Sequence, residues 1–388
     1  MLPSELLELC LDELSDDKPS LAACARVHSS LRSPAQRRLF RDLIVYLHHA
    51  STPDQSRLLA ALEESHYLAM YVQRCTLIAD IQSAPSPDHN PPHALRILLQ
   101  LSALRVFDGY GLRMSVLPIE LEHALAQVLR LPTLQRVALR LTQNFPFHFL
   151  RAPALRHVIL VDTGHGGDAA EEEEKQRTVW PLLRPQSLMI CRTRLGLSMD
   201  RMLSWLQGGS VELRGLRALM LDMGAMEPHE TQEIVRSAAT SLQVLALLPD
   251  YHQGTEQTME MLQRLSQLPF CLPSLRTVVL YVNRQVPTPG GHPRCPKSWD
   301  VRLLSVLDEA LAGNRNVYPA LHDVVILPHL DLSLPERGCI EEESWWAFST
   351  DNSSVDDQED MYDTWTRSFA KCAEVGILRD SLSSVLGL

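Results

Sequence analysis

The most regular pattern along this 388-residue chain is a six-residue frame, L-x-x-h-x-L, with apolar anchors separated by variable positions. It stands at Leu134/Val137/Leu139, Leu155/Val158/Leu160, Leu216/Leu219/Leu221, Leu242/Leu245/Leu247, Leu275/Val278/Leu280 and Leu321/Val324/Ile326. Weaker copies are Phe40/Leu43/Val45, Val72/Cys75/Leu77, Leu104/Phe107 and Leu188/Cys191. The last two anchors are two residues apart, the period of a strand, so each frame predicts one short strand with those residues turned into a core. Between frames, Thr52-Pro53-Asp54, Ser198, Pro228, Thr255 and Ser298 are helix starts, and they predict helices over 53–65, 199–207, 228–239, 256–267 and 299–313. Met202, Leu203 and Leu206, like Val301, Leu304, Leu307 and Leu311, recur at helical spacing.

The first anchors run from 40 to 321 and are on average about 31 residues apart. Strand, helix, strand at that period means parallel strands joined by crossover helices. The expected class is therefore α/β, an irregular leucine-rich-repeat-like solenoid over 46–334. Long breaks interrupt it at Pro85–Pro92, Asp162–Pro185 and Pro287–Pro296, and no Asn ladder follows the frames. If Val137 and Leu139 face the core, Ala138, Ile159, Met220, Ala246 and Val279 face the other, concave side, with Arg140, Asp222 and Tyr281 two positions on. Ala138, Arg140, Ile159, Met220, Asp222, Val279 and Tyr281 are the candidate substrate-binding residues, since an exposed apolar stripe suits a partner groove. The competing expectation is that this side is covered, because parallel strands are usually buried on both faces. Arg105, Arg156, Arg217 and Arg276, each one residue past a first anchor, read as a solvated rim.

Residues 1–45 read as three short helices. In MLPSELLELCLDEL, Pro3 suits a first helical position and Leu6, Leu7, Cys10, Leu11 and Leu14 share a face. Leu21, Cys24 and Val27 form the stripe of the second helix; a third starts at Ser33-Pro34 and ends near Leu39-Phe40. So small a unit must lean on a partner or on the rest of the chain. The segment from Leu2 to Phe40 resembles an F-box of the divergent kind abundant in mushroom-forming fungi. The resemblance is carried by Leu2-Pro3 and Glu5, by Leu6, Leu7, Cys10 and Leu14, and by Leu21 to Cys24, Val27 and Leu39-Phe40. It departs where that family usually has Val-Cys-Arg-x-Trp: here the Cys is His28 and the Trp is Leu31. The resemblance implies binding to the Skp-type adaptor of a cullin-RING ubiquitin ligase through Leu2, Pro3, Leu6, Leu7, Cys10, Leu14, Leu21, Val27 and Leu31. The plain alternative is a helical cap closing the first edge of the array.

Composition sharpens this. Sixty-seven residues are leucine, against 6% aromatic and 45% hydrophobic overall, so a large core is available and wholesale disorder is excluded. The net charge is −11, with Arg supplying 32 of the 36 cations, and a basic nucleic-acid footprint is absent. Ten acidic residues fall between Glu336 and Asp363 against Arg337 alone, so the acidity is concentrated in a 335–388 segment. That segment reads as a solvated loop or an acidic docking strip, followed by an amphipathic helix around Trp365, Phe369 and Cys372. Eight scattered cysteines with no C-x-x-C pair predict a reduced protein of cytoplasm or nucleus. No leader-like segment and no membrane-length apolar run is expected.

Chemistry is not predicted. Asp162-Thr163-Gly164 matches an aspartic-protease tripeptide, but that mechanism needs two carboxylates sharing a proton, and there is one copy. His165-Gly166-Gly167 has no G-x-S-x-G partner. His48-His49 and His89/His93 lack further ligands at useful spacing. No catalytic residue, cofactor or metal is expected. The chain reads as a substrate-recognition subunit with a protein target, or as an interaction scaffold that no longer binds the adaptor.

Overall fold

The computed structural model describes residues 4–14, 17–47, 53–79, 92–164, 182–191, 205–206, 211–222, 228–248, 268, 270–282, 308–309, 311–313, 316–328 and 378–379. The chain forms two compact units, Met1–Ile159 with Thr163–Leu183, and Leu160–Asp162 with Arg184–Leu388. The first begins with three helices, α1 (Ser4–Asp12), α2 (Lys18–Val27) and α3 (Ser29–Leu39). Strands and helices then alternate: β1 (Asp42–Tyr46), α4 (Pro53–Glu64), β2 (Arg74–Ile78), α5 (Pro92–Gln100), β3 (Val106–Tyr110), α6 (Ile119–Val128), β4 (Arg136–Arg140) and β5 (His157–Val161). The second carries β6 (Ser187–Cys191), β7 (Ala218–Asp222), α7 (Pro228–Ala238), β8 (Val244–Leu248), β9 (Thr277–Val282), β10 (Asp323–Pro328) and β11 (Leu378–Arg379).

All ten frames fall on strands, but the Leu188/Cys191 frame is corrected in register: Leu188 pairs with Leu219 and Ile190 with Leu221, so these two are the core pair and Cys191 lies beyond it. Strand order is chain order, neighbouring strands of described register pair in parallel, and the sheet does not close. In the first unit Leu43, Val45, Cys75, Leu77, Phe107, Val137 and Leu139 are buried, as are Leu59 and Leu62 of α4, Ile97 and Leu98 of α5, and Leu121 and Leu125 of α6. α4 packs on α5 and α5 on α6. This is the layer of helix against sheet that buries one face of each.

The frame proves longer than six residues. A one-turn 3-10 bend precedes it, in which the first anchor's N–H donates to the carbonyl three residues earlier: Val72 to Ala69, Leu134 to Leu131, Leu155 to Ala152, Leu216 to Leu213, Leu275 to Leu272 and Leu321 to Tyr318. Ala69, Ala152, Leu213, Leu272 and Tyr318 are buried. The residue after the first anchor then offers its carbonyl to two successive N–H groups of the next strand's lead-in. Arg41 O accepts from Gln73 and Arg74, Gln73 O from Arg105 and Val106, Arg105 O from Gln135 and Arg136, and Gln135 O from Arg156 and His157. Gln186, Arg217, Gln243 and Arg276 repeat this in the second unit. The backbone does the work here, so side chains are free to vary; Arg105, Arg156, Arg217 and Arg276 are exposed, as a rim should be.

Two expectations about helices are corrected. α3 starts at Ser29 rather than at Ser33-Pro34, because the His28 ring caps it; Pro34 sits inside the helix. α5 and α6 fall where no helix is predicted: Pro92 opens α5 and Pro118 N-caps α6, and both signals are carried by prolines next to what reads as loop. The third anchor of the Leu104/Phe107 frame is absent because Gly109 occupies it, and a Cβ there would lie 2.9 Å from Leu112 Cδ1. Leu112, fully buried after the strand, fills that space. The helices at 53–65 and 228–239 are found as Pro53–Glu64 and Pro228–Ala238. The helix over 256–267, the acidic run and the helix around Trp365 lie outside the described residues, as does most of 199–207 and 299–313.

Candidate functional site

The helical head has its own small core of Leu11, Leu21 and Ala35, with Leu14, Cys24, Leu31 and Leu39 packed against it. Polar residues fix its shape. Asp17 caps α2, its carboxylate accepting from Ser20 N at 3.1 Å and from Ser20 Oγ at 2.5 Å. Those hydrogen bonds hold the Asp17 carboxyl below the usual carboxylate range. His28 Nδ1 accepts from Ser30 N at 3.1 Å, so His28 is the cap of α3. Arg38 ties α3 to α1, with Nη2 donating to Glu8 O at 2.8 Å and Nε to Asp12 Oδ1 at 2.8 Å. Ser33 Oγ lies 3.2 Å from Tyr71 Oη, and Tyr67 Oη donates to Gln36 Oε1 at 3.4 Å, so α3 rests on the first repeat.

The predicted adaptor-binding set divides. Leu6 is 46% exposed and Val27 76% exposed, and Cys10 is exposed too. Leu7 is half-buried. Leu21 is fully buried, and Leu14 and Leu31, both partly buried, pack on the same core, so these three help hold the head together. Leu2 and Pro3 lie outside the described residues. Sequence reasoning missed Leu9, which is 61% exposed. α1 carries Leu6, Leu7, Leu9, Cys10 and Leu11, apolar nearly all round. A one-face reading cannot divide such a helix between its own core and a partner.

The predicted substrate-binding set is mostly inside. Ala138, Ile159, Met220, Val279 and Asp222 are buried, and Ala246 with them. Parallel strands covered on both faces are the physical reason, and these five are corrected from groove to core. Arg140 is half-buried, and the Tyr281 side chain lies outside the described residues.

What does stay partly open is the outer face of the first unit's strands. The register aligns Asp42, Arg74, Val106 and Arg136 in one row, Ile44, Thr76, Asp108 and Ala138 in the next, and Tyr46, Ile78, Tyr110 and Arg140 in the third. Only Ala138 among these twelve is buried. Arg74 Nε stands 3.8 Å from Asp42 Oδ1. Asp108 lies opposite Ala138, the residue between the two β4 arginines. Arg136 Nε and Asp108 Oδ1 are buried atoms without a hydrogen-bond partner. Burial lowers the affinity of Arg136 for its proton; the Asp108 charge opposes this, and Arg74 and Arg140 add to it. His157 on β5 is held below the usual histidine range by burial, then by Arg136 and Arg156.

The chain matches no family model and no curated protein.

The remaining candidates for chemistry are structural. Asp162 is buried in a left-handed turn (φ 48°) at the exit of β5, the place that Gly111 and Leu141 take after β3 and β4. Its N–H donates to Cys191 O at 2.9 Å, and Thr163 Oγ1 donates to Leu139 O at 3.0 Å. The Asp-Thr-Gly tripeptide thus ties strand exits together. Burial, then the Asp108 charge, push the Cys75 thiol up to about 12, which makes it an inert core residue. No cluster of three His, Cys, Asp or Glu side chains occurs among the described residues. His48, His49, His89 and His165 lie outside them. No described helix is long and apolar enough to cross a membrane.

Proposed function

We propose that this chain is a substrate-recognition subunit of an SCF-type cullin-RING ubiquitin ligase, working in the cytoplasm or nucleus. The helical head binds the Skp-type adaptor, and a leucine-rich-repeat-like solenoid holds the protein target. The observation that supports this reading best is the exposed apolar set Leu6, Leu9, Cys10 and Val27. The head already owns a core in Leu11, Leu21 and Ala35, so these large side chains are left over for another protein. Burying three such residues in an interface is worth several kcal/mol, on the order of 2 kcal/mol each.

A pull-down of adaptor by the full-length chain tests it. Retention at micromolar concentration is expected, and the double variant Leu9→Glu/Val27→Glu abolishes it with an unchanged melting temperature. Absence of retention sinks the proposal, as does retention indifferent to the double variant. A second reading is favoured by His28 and Leu31: one is committed to capping α3 and the other to the head's core, so neither supplies the family's partner-facing anchor. On that reading the chain is an interaction scaffold without an adaptor, and the same pull-down distinguishes the two.

A further inference from the structure

We propose that the open edge of β1 pairs with the same edge of a second copy of this chain, in an antiparallel two-fold joint centred on Ile44. The inference goes beyond the receptor reading and does not rest on it.

The carrying observation is a row of backbone groups facing away from the sheet. β1 is the first strand of the order and has one neighbour, β2. Its ladder to β2 runs through alternate residues: Arg41 O accepts from Arg74 N at 2.9 Å, and Leu47 N donates to Ile78 O at 2.9 Å. Arg41, Leu43, Val45 and Leu47 therefore turn their N–H and C=O groups to β2, and Asp42, Ile44 and Tyr46 turn theirs to the open side. Gln55 Nε2 reaches back from α4 to Tyr46 O at 3.0 Å and closes one end of that row. At its middle, the N–H and C=O of Ile44 have no partner among the described residues.

Edge strands that stay single are usually guarded by lysine, proline or a bulge. The sequence DLIVY contains neither residue, and all five positions pair with β2 without a bulge. The Ile44 side chain beside the open backbone groups is 41% exposed. An unguarded row of donors and acceptors next to an exposed isoleucine is a template for another strand.

The sequence of β1 selects a second copy as that strand. Antiparallel pairing about Ile44 sets this residue opposite its own counterpart, each N–H donating to the other's carbonyl. Asp42 then faces Tyr46 of the second copy, carboxylate against phenol, and Leu43 faces Val45, apolar against apolar. Like charges stay apart, since the two Asp42 residues lie about 13 Å from each other along the joint. Opposed residues share a face of the sheet, so the buried Leu43 and Val45 of both copies remain on one side. The strands run oppositely, so the helices leading into each β1 enter at opposite ends of the joint. The interface is isologous and closes at two copies. Five residues a side make a small joint, and association is weak and concentration-dependent.

Sedimentation velocity of the full-length chain between about 1 and 200 μM is the test. A monomer at the low end and a dimer at the high end are expected. Ile44→Lys alone and Ile44→Glu alone each weaken dimerisation by about tenfold or more, because like charges then meet at the two-fold, and an equimolar mixture of the two variants restores it. In the unsubstituted chain the Ile44 amide exchanges its hydrogen more slowly at the high concentration, a readout that needs no variant. A monomer at every concentration overturns the proposal, as does a species larger than a dimer. So do a dimer indifferent to both substitutions, a mixture no better than either variant alone, or Ile44 exchange that ignores concentration. Loss of the dimer in Leu9→Glu/Val27→Glu would assign it to the head and overturn the proposal as well.

Discussion

The strands of the two units share one frame and differ in what they do with their second face. In β1–β4 the sequences DLIVY, RCTLI, VFDGY and RVALR alternate, and the outer positions of the first three are half-buried or exposed. In β6 and β7, SLMIC and ALMLD are buried at every position. VLALL in β8 differs only at its half-buried first residue. The inner face is the same in both; the outer positions of β1–β3 are partly open, and those of β6–β8 are closed apart from the first residue of β8. A repeat frame therefore fixes the core and leaves function to the residues between its anchors.

The strongest way to break that contrast is a charge at equivalent outer positions. Met220→Lys places an unpaired ammonium at a fully buried site and destabilises by about 3–5 kcal/mol. Thr76→Lys at the half-buried site in β2 costs under about 1 kcal/mol. Urea unfolding midpoints compare them, and similar losses would mean that the two outer faces are equally covered. A smaller effect probes the inner face that the units have in common. Gly109→Leu restores the regular frame but collides with Leu112 and Leu139, and costs about 1–3 kcal/mol. Adding Leu112→Ala recovers part of that loss in thermal melts, and strict additivity of the two would show that they do not share a space.

The smallest effect is a pH dependence confined to the open face. His157 has its folded-state affinity for protons lowered by burial and by Arg136 and Arg156. The unfolded chain therefore binds the proton more readily, and stability falls as pH drops below the ordinary histidine value of about 6.5, levelling off below the folded value. His157→Gln flattens the fall of melting temperature as pH drops below about 6.5. An unaltered slope would place the titration elsewhere.

Most of the architecture is legible in the chain. The ten frames locate ten strands, eight of them through an anchor pair two residues apart; in Leu188/Cys191 the pair is Leu188 and Ile190, three residues off the expected register. Gly109 is the instructive irregularity: its frame lacks a leucine in sequence, but Leu112 supplies the side chain from three residues on. The surfaces were far less legible. Leu21 and Val27 occupy the same helical stripe in sequence, yet one is fully buried and the other 76% exposed, because α1 and α3 cover only part of α2. Met220 and Thr76 occupy equivalent columns with opposite exposure. No local pattern records which outer positions are covered. The strand register that brings Asp108 near Arg136 is recorded in no local pattern either.

The carbonyl ladder also has a temporal meaning. The lead-in residues of β2, Gln73 and Arg74, donate to Arg41 just ahead of β1, and Arg105, Gln135 and their neighbours repeat the step back to the strand before. Each strand thus finds its template already made, about 30 residues upstream, and needs nothing downstream to pair. A chain so connected keeps its sheet contacts short-range in sequence, the topology associated with faster folding than long-range strand pairing allows.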